Sequence, residues 1–315
     1  MRNSHPLGFA LFLLSAPLMA QAAPVASAPV APAPMTITPT LAATNYQQWM
    51  SPDLKTAWSL GYQGQGTTIT IVDDFSSTKT FTGNLGTGSA ARRHGEWVRD
   101  FATMVAPQAG IATHEFRSGR AVSLASGLNV MNLSYGMNAA AGYSVSQIGW
   151  SAQESSLIKF AREGRAVIVK AAGNDAIAVG GTTSKGQTDY LNKALIGAPA
   201  AIFVGALDRN GRPDNLASLT SYSNRAGTDP NVQRQFLSVG VRSSVTGLAG
   251  TSFAAPIVSG YAAIIGSKFT AATPVQVASQ LLDTARKDTI RNYNPALHGR
   301  GEASITRALA PEVIQ

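Results

Sequence analysis

Short runs of apolar and β-branched residues alternate with segments of helical periodicity along most of this 315-residue chain. Runs of this kind are typical of strands that are buried on both faces of a parallel sheet. They predict strands at 67–72, 111–116, 129–133, 166–169 and 201–206, with short extended pieces at 216–223 and 236–241.

Between these runs, apolar residues recur at three- and four-residue spacing, which predicts helices. The predicted helices cover 52–60, a segment beginning near residue 94, 120–126, 147–162, a segment beginning near residue 252, and 274–286. Because strands and helices alternate, we expect an α/β fold: a three-layer sandwich with a mostly parallel central sheet and helices on both faces.

The N-terminal residues have the pattern of an export signal. Arg2 is followed by an apolar run at 7–18 and by small residues at 20–22, which predicts a signal peptide over 1–23. The run is too short to span a membrane, which takes about 20 residues. Residues 24–45 are rich in Ala and Pro and predict an extended linker, so the folded domain is expected at 46–315. The mature protein is therefore predicted to be periplasmic or extracellular, with no transmembrane segment.

Composition narrows the function classes. The net charge is +8, but the basic residues are scattered, so we do not expect nucleic-acid binding. The chain contains no cysteine, so an exported fold must be held together by packing without disulfides.

One stretch predicts covalent chemistry. Ser252 stands in the run Gly-Thr-Ser-Phe-Ala-Ala-Pro (250–256), directly before an apolar helix. The unpaired N–H groups at a helix start favour negative charge that develops beside such a hydroxyl. Serine is a weak nucleophile, so it needs a neighbouring base that a third group orients.

Polar residues that could complete the set follow predicted strands or open a helix. Asp73 and Asp74 come directly after the strand at 67–72, and Asn174 follows the strand at 166–169. His94 stands at a predicted helix start. Chemistry in open α/β sheets collects at the carboxyl ends of the strands, so these positions are good candidates.

Together these segments resemble the subtilisin-like serine proteases (subtilases, peptidase family S8). The run at 250–256 matches the family's nucleophile motif, Ala-Ala-Gly-Asn-Asp at 171–175 resembles its oxyanion segment, and Val-Met-Asn-Leu-Ser-Tyr-Gly at 130–136 resembles its substrate-binding strand. The order Asp, His, Ser is also that of subtilisin.

The resemblance implies a serine endopeptidase that acts on proteins or peptides, expected as a monomer. It assigns Asp73, His94 and Ser252 to a catalytic triad and Asn174 to the oxyanion hole. It also implies a pocket for the side chain before the cut, with room for a large apolar group. The residues assigned to its walls are Ser134, Tyr135, Gly136, Ala171, Ala172 and Gly173.

The chain also departs from the family pattern around the acid and the base. Asp74 and Phe75 follow Asp73, and Glu96 and Trp97 follow His94, where the family usually has other residues. Either aspartate could be the triad acid; Asp73 is preferred because it directly follows an apolar pair. No metal ligand is assigned and no cofactor is required, while a structural calcium ion stays open.

Two other functions fit parts of the sequence. The altered flanks favour, as an alternative, a subtilase-like protein that binds peptides with little or no catalysis. An α/β-hydrolase would use Ser252 with His298 and Asp283 or Asp288. That fold needs a strong strand leading straight into the serine turn, and residues 243–250 are polar and contain glycine.

Overall fold

The computed structural model describes residues 46–315, so the predicted signal peptide (1–23) and linker (24–45) lie outside the described residues. Within that range, no helix is both long and apolar enough to cross a membrane.

The strands of the described part of the chain have the following bounds: β1 (Thr67–Asp73), β2 (Phe81–Gly83), β3 (Ala90–Arg92), β4 (Gly110–Glu115), β5 (Leu128–Leu133), β6 (Asn138–Ala140), β7 (Val167–Ala171), β8 (Gln187–Asp189), β9 (Ala201–Leu207) and β10 (Phe236–Gly240).

The helices are α1 (Asp53–Ser59), α2 (His94–Val105), α3 (Ala152–Arg162), α4 (Tyr190–Leu195), α5 (Pro230–Gln235), α6 (Ser243–Thr246), α7 (Thr251–Lys268), α8 (Pro274–Asp283), α9 (Pro295–His298) and α10 (Ile305–Ala308), with a 3₁₀ turn at Val145–Gln147.

Six strands form one sheet in the order β10-β9-β7-β5-β1-β4, and every pair in it is parallel. The chain leaves β1 for the edge strand β4 and then returns across β1 to β5. The direction of winding therefore reverses beside β1, and a crevice is expected there at the carboxyl ends of the strands. Two short antiparallel pairs, β2 with β3 and β6 with β8, lie outside this sheet.

Apolar side chains cover both faces of the sheet. Ile71 and Val169 contribute to a core cluster with α2 and α7, while Met131 and Ile168 contribute to a second cluster with α3 and α4. Neighbouring strand residues point to opposite faces, so a strand between two layers must be apolar at nearly every position. The predicted fold class, a parallel sheet between two helical layers, is confirmed.

Three helix predictions are corrected. Residues 120–126 are not helical, because the Val122 N–H donates to Ser156 Oγ at 3.0 Å and the Ala125 N–H donates to the Asn129 side chain at 2.8 Å. The helix predicted at 147–162 begins only at Ala152, where the Ser151 hydroxyl caps it by accepting from the Gln153 N–H. The helix predicted at 274–286 ends at Asp283.

Glu302 gives the fold a pH-dependent stability. Burial raises the pKa of this carboxyl to about 7, even though the Gly211 N–H donates to it at 2.8 Å. The folded state then keeps a proton that the unfolded chain loses near pH 4.5. The contribution of Glu302 to wild-type stability should therefore fall as the pH rises from about 4.5 to 7. From pH 5 to pH 8, the difference in unfolding free energy between Glu302→Gln and wild type should move in favour of the variant by about 2–3 kcal/mol.

Urea unfolding at the two pH values measures this difference. Glu312→Gln is the matched control, because Glu312 is exposed and the same substitution there should show no such trend. An unchanged difference at Glu302 would contradict the expected burial effect.

Candidate active site

Ser252 is the second residue of α7, and a glycine makes its position possible. Gly250, just before the helix, has φ +138°, a backbone conformation that residues other than glycine rarely adopt. The Gly250 N–H donates to the Tyr222 hydroxyl at 3.0 Å. Tyr222, a residue outside the helix, thus helps to hold the start of α7, where Ser252 lies.

Asp73 and His94 are in direct contact. Asp73 ends β1 and is 2% exposed, and His94 is the first residue of α2. His94 Nδ1 lies 2.6 Å from Asp73 Oδ1, which also accepts from the Asp74 N–H at 2.7 Å. The helix begins at His94 because the Glu96 carboxylate accepts from the Arg93 N–H at 2.8 Å, half of a capping box.

Two aromatic rings flank the imidazole of His94. The ring centroid of Phe81, in β2, lies 5.6 Å away, and that of Phe253, in α7, lies 5.4 Å away. The ring also contacts Asp73, so it is held on three sides. Since Phe253 is the neighbour of Ser252, this packing places the histidine beside the first turn of α7.

Asp74 faces away from the histidine. Its Oδ1 accepts from the N–H groups of Ser77 at 2.9 Å and Ser76 at 3.2 Å. Slight burial acts to raise the pKa of Asp74, but hydrogen bonds from Ser77 and Ser76 outweigh it and hold the pKa below its ordinary value. Asp73, not Asp74, is the carboxylate in contact with His94.

The Ser252 backbone is hydrogen-bonded to Ser134, the residue that directly follows β5. Pro256 has no N–H to donate to the Ser252 carbonyl four residues earlier, so that carbonyl is free to accept from Ser134 Oγ at 2.9 Å. In return, Ser252 Oγ donates to the Ser134 carbonyl at 3.1 Å. The serine hydroxyl in this structure therefore bonds to Ser134 and makes no hydrogen bond to His94.

Asn174 lies next to the start of α7. Its Oδ1 accepts from the Thr251 N–H at 2.9 Å and from Thr251 Oγ1 at 3.0 Å, so its Nδ2 is the end left for another acceptor. A carbon placed on Gly250 would lie 3.4 Å from Asn174 Nδ2 and 3.8 Å from Ser252 N. The bare glycine thus leaves open space within reach of two N–H donors.

A cavity of about 200 Å³ opens beside these groups. Ser134, Tyr135, Gly136, Ala171 and Gly173 line it together with Asn174 and Ser252. Ala172 does not line the cavity: its side chain is fully buried in the core cluster beside α3 and α4.

Comparison with known proteins identifies the family to which the chain belongs. The model of the subtilase family, Peptidase_S8, matches residues 102–301, a range that includes Asn174 and Ser252 but begins after Asp73 and His94. The chain belongs to the subtilase family. As a subtilase it is a serine-type peptidase. No curated protein matches the chain.

Solved structures share the fold. The prenylagaramide maturation protease PagA is 19% identical with a TM-score of 0.58, and the match covers 82% of this subtilase and 98% of PagA. The MycP3 protease of the type VII (ESX-3) secretion system is 21% identical with a TM-score of 0.52, covering 82% and 86%. MycP1 of the ESX-1 system is 18% identical with a TM-score of 0.53, covering 82% and 84%. At these identities the likeness extends to the fold alone.

Four residues around the site were not singled out from the sequence. Thr251 positions Asn174, Asn224 anchors the turn behind it, and Lys170 and Asp189 line the cavity. Only Lys170 gave a signal, as a lysine inside an otherwise apolar strand. Among residues 46–315, no group of three or more His, Asp or Glu side chains is arranged to hold a metal ion.

Asn224 should determine how rigidly the Asn174 turn is held. It is buried, its Oδ1 accepts from the Asp175 and Ile177 N–H groups, and its Nδ2 donates to the Ala172 carbonyl. Asn224→Ala leaves these groups without their partner, so unfolding free energy should fall by about 1–3 kcal/mol. Amide exchange in 174–177 should also accelerate.

Thermal unfolding and hydrogen-exchange mass spectrometry measure the two effects. The matched control is Asn231→Ala, because Asn231 is exposed on α5 and its loss should change stability by less than about 0.5 kcal/mol. Exchange in 174–177 that is as slow in Asn224→Ala as in wild type would refute the anchoring role.

Proposed function

We propose that this subtilase is an exported endopeptidase that hydrolyses peptide bonds with Ser252 as nucleophile, His94 as base and Asp73 as the orienting acid. The observation that carries the proposal is the 2.6 Å contact between Asp73 Oδ1 and His94 Nδ1. It joins two residues 21 positions apart, at the edge of the sheet where α7 presents Ser252.

The contact supports Nε2 of His94 as the imidazole nitrogen that takes the proton from Ser252. Asp73 accepts the proton on Nδ1, which leaves Nε2 with its lone pair in the neutral ring. The buried carboxylate also stabilises the imidazolium once Nε2 has taken a proton. Phe81 and Phe253 keep the ring from turning away from Asp73.

The reaction begins when the Ser252 hydroxyl turns from the Ser134 carbonyl towards His94 Nε2. Hydrogen bonds of this kind often form only when substrate is bound. Ser252 Oγ then attacks the peptide carbon while His94 takes its proton. His94 passes that proton to the departing amine, leaving an acyl-enzyme. Water, activated by His94 in the same way, releases the acid and restores Ser252.

The negative charge that develops on the former carbonyl oxygen must be stabilised by hydrogen-bond donors. Asn174 Nδ2 and the Ser252 nitrogen both lie within 4 Å of a carbon placed on Gly250. The Ser252 N–H is in the first turn of α7, so it has no helix carbonyl four residues earlier to bond to. Losing one such side-chain donor costs roughly 2.7–4 kcal/mol of transition-state stabilisation, a value measured on subtilisin. Asn174 is assigned this role.

Export is proposed from the N-terminal sequence. The charged start, apolar run and small residues over 1–23 support a cleaved signal peptide, and the Ala/Pro-rich segment over 24–45 supports a linker before the catalytic domain. The enzyme would then act as a monomer on protein or peptide substrates in the periplasm or outside the cell.

A fluorophosphonate probe tests the nucleophile directly, because it reacts with activated serines. Wild type should be labelled and should degrade casein, whereas Ser252→Ala should take no label and lose roughly 10⁶-fold in kcat, the loss known from subtilisin. Labelling is read on a gel by probe fluorescence, and casein hydrolysis by release of soluble peptides.

Ser267→Ala is the matched control, since Ser267 is in the same helix and its hydroxyl donates only to the Ile264 carbonyl. It should be labelled like wild type. Correctly folded wild type that takes no label would contradict the proposed catalysis and favour the alternative, a peptide-binding subtilase without catalysis.

The two adjacent aspartates should differ sharply. Asp73→Asn removes the acceptor that fixes the His94 tautomer, so kcat should fall by about 10⁴-fold. Asp74→Asn alters a turn that does not contact His94, so kcat should change by less than about tenfold. Steady-state kinetics on one peptide substrate measure both. An equal loss in the two variants would mean that the Asp73 contact does not carry the triad.

A further inference from the structure

A buried ion pair lies at the wall of the cavity beside Ser252. Lys170 is in β7, its side chain is 2% exposed, and its Nζ lies 3.1 Å from Asp189 Oδ2. The same Nζ donates to the Ala171 carbonyl at 2.7 Å. Both Lys170 and Asp189 line the cavity. A lysine in an otherwise apolar strand costs stability unless its charge is paired, so this pairing is a built feature of the pocket.

The carboxylate of the pair is held rigidly. Asp189 Oδ1 accepts from the Met137 N–H at 2.9 Å and from the Leu191 N–H at 3.0 Å. Its other oxygen faces Lys170 and lies beside Gly136, where an added methyl carbon would come within 2.9 Å of it. A glycine at 136 thus makes room for the carboxylate at the cavity wall.

The hydrogen-bonding capacity of the pair is not exhausted. An ammonium group has three N–H donors, and Lys170 uses one of them in a hydrogen bond to the Ala171 carbonyl. Its charge pairs with Asp189 Oδ2 at 3.1 Å, an oxygen that can accept two hydrogen bonds. The pair therefore has at least one donor and one acceptor side by side at the cavity wall.

A substrate side chain that enters this cavity displaces water from both groups. An apolar side chain would leave the donor and the acceptor unsatisfied. An arginine or lysine would approach Asp189 next to the Lys170 ammonium. A glutamate would approach Lys170 next to Asp189, with Asp175 as a further carboxylate on the lining. A primary carboxamide carries a C=O for Lys170 and an N–H for Asp189 and adds no charge.

We propose that Lys170 and Asp189 make the pocket selective for a glutamine or asparagine side chain immediately before the cleaved bond, given the peptidase chemistry proposed for Ser252. The large apolar group that the small wall residues suggest is thereby replaced as the preferred occupant. Each partner also suppresses the charged side chain that the other would attract.

The experiment uses quenched fluorescent peptides that differ only at the residue before the cut: Gln, Asn, Leu, Phe, Glu or Arg. For wild type, kcat/KM for Gln or Asn should exceed that for each of the other four by about tenfold or more, because a site built for hydrogen bonds rejects groups that lack them. Cleavage positions are confirmed by mass spectrometry.

Substitutions at Lys170 and at Asp189 should change the residue preferred before the cut in opposite ways, towards a basic side chain in one case and an acidic side chain in the other. Lys170→Met leaves the Asp189 carboxylate unpaired, so Arg should become the preferred residue. Asp189→Asn keeps an acceptor for the backbone N–H groups but leaves Lys170 unneutralised, so Glu should become preferred. In the double variant both charges are gone, so neither Arg nor Glu should lead. Lys159→Met, which removes an exposed lysine whose partner is Glu163, is the control and should keep the wild-type order.

Fluorophosphonate labelling of the same samples distinguishes failure of the proposed function from failure of the proposed pocket preference. It also gives the fraction of active enzyme for each variant. Wild type that is neither labelled nor active on any peptide overturns the proposed function. Labelled wild type that prefers Leu, Phe, Glu or Arg, or cleaves all six within threefold, overturns the role of the pair alone. The wild-type series decides this even where a variant fails to fold.

Discussion

Helices α2 and α7 touch at a glycine, and the position of the site follows from this contact. An added methyl carbon at Gly260 would lie 2.4 Å from Val105 Cγ1. His94 begins one of these helices and Ser252 lies in the first turn of the other. The closeness of the two helix axes therefore affects how near His94, the proposed base, lies to Ser252, the proposed nucleophile. Glycine inside a helix costs about 1 kcal/mol relative to alanine, and here that cost allows the approach.

The start of α7 combines a fixed backbone with a side chain, Ser252, whose hydroxyl is held by one hydrogen bond, to the Ser134 carbonyl. All of its 18 residues are buried except Ser252 and Lys268, so the helix itself cannot shift without disturbing the core. The missing N–H of Pro256 lets Ser134 Oγ hold the Ser252 carbonyl, and Asn132 in turn donates to Ser134 Oγ at 2.9 Å. Only the rotation of the Ser252 side chain is left open, which is the one freedom that the proposed attack requires.

The sequence was informative where local pattern and tertiary structure coincide. A strand buried on both faces must be apolar throughout, so β1 and β5 were visible, and the residues around Ser252 carried the family resemblance. Contacts between distant segments leave no such pattern. Asp189 reaches Lys170 only because β8 pairs with β6 and α4 follows directly, and neither short strand was predicted. The helix expected at 120–126 was wrong for a related reason, since side chains from elsewhere take its backbone N–H groups.

The segment from Lys170 to Asn174 would link the proposed selection of the substrate to the proposed stabilisation of the oxyanion. Lys170 lines the cavity, and four residues later Asn174 lines it too. Lys170 itself donates to the Ala171 carbonyl between them at 2.7 Å, so the ion pair contributes to holding this backbone. Further anchors come from other segments: the Ala172 carbonyl accepts from Asn224 at 2.9 Å, and the Gly173 N–H donates to Thr251 Oγ1 at 3.1 Å. Because the pair and the Asn174 turn share this short segment, changes at Lys170 and at Asn174 are expected to be coupled, and the two effects should not simply add.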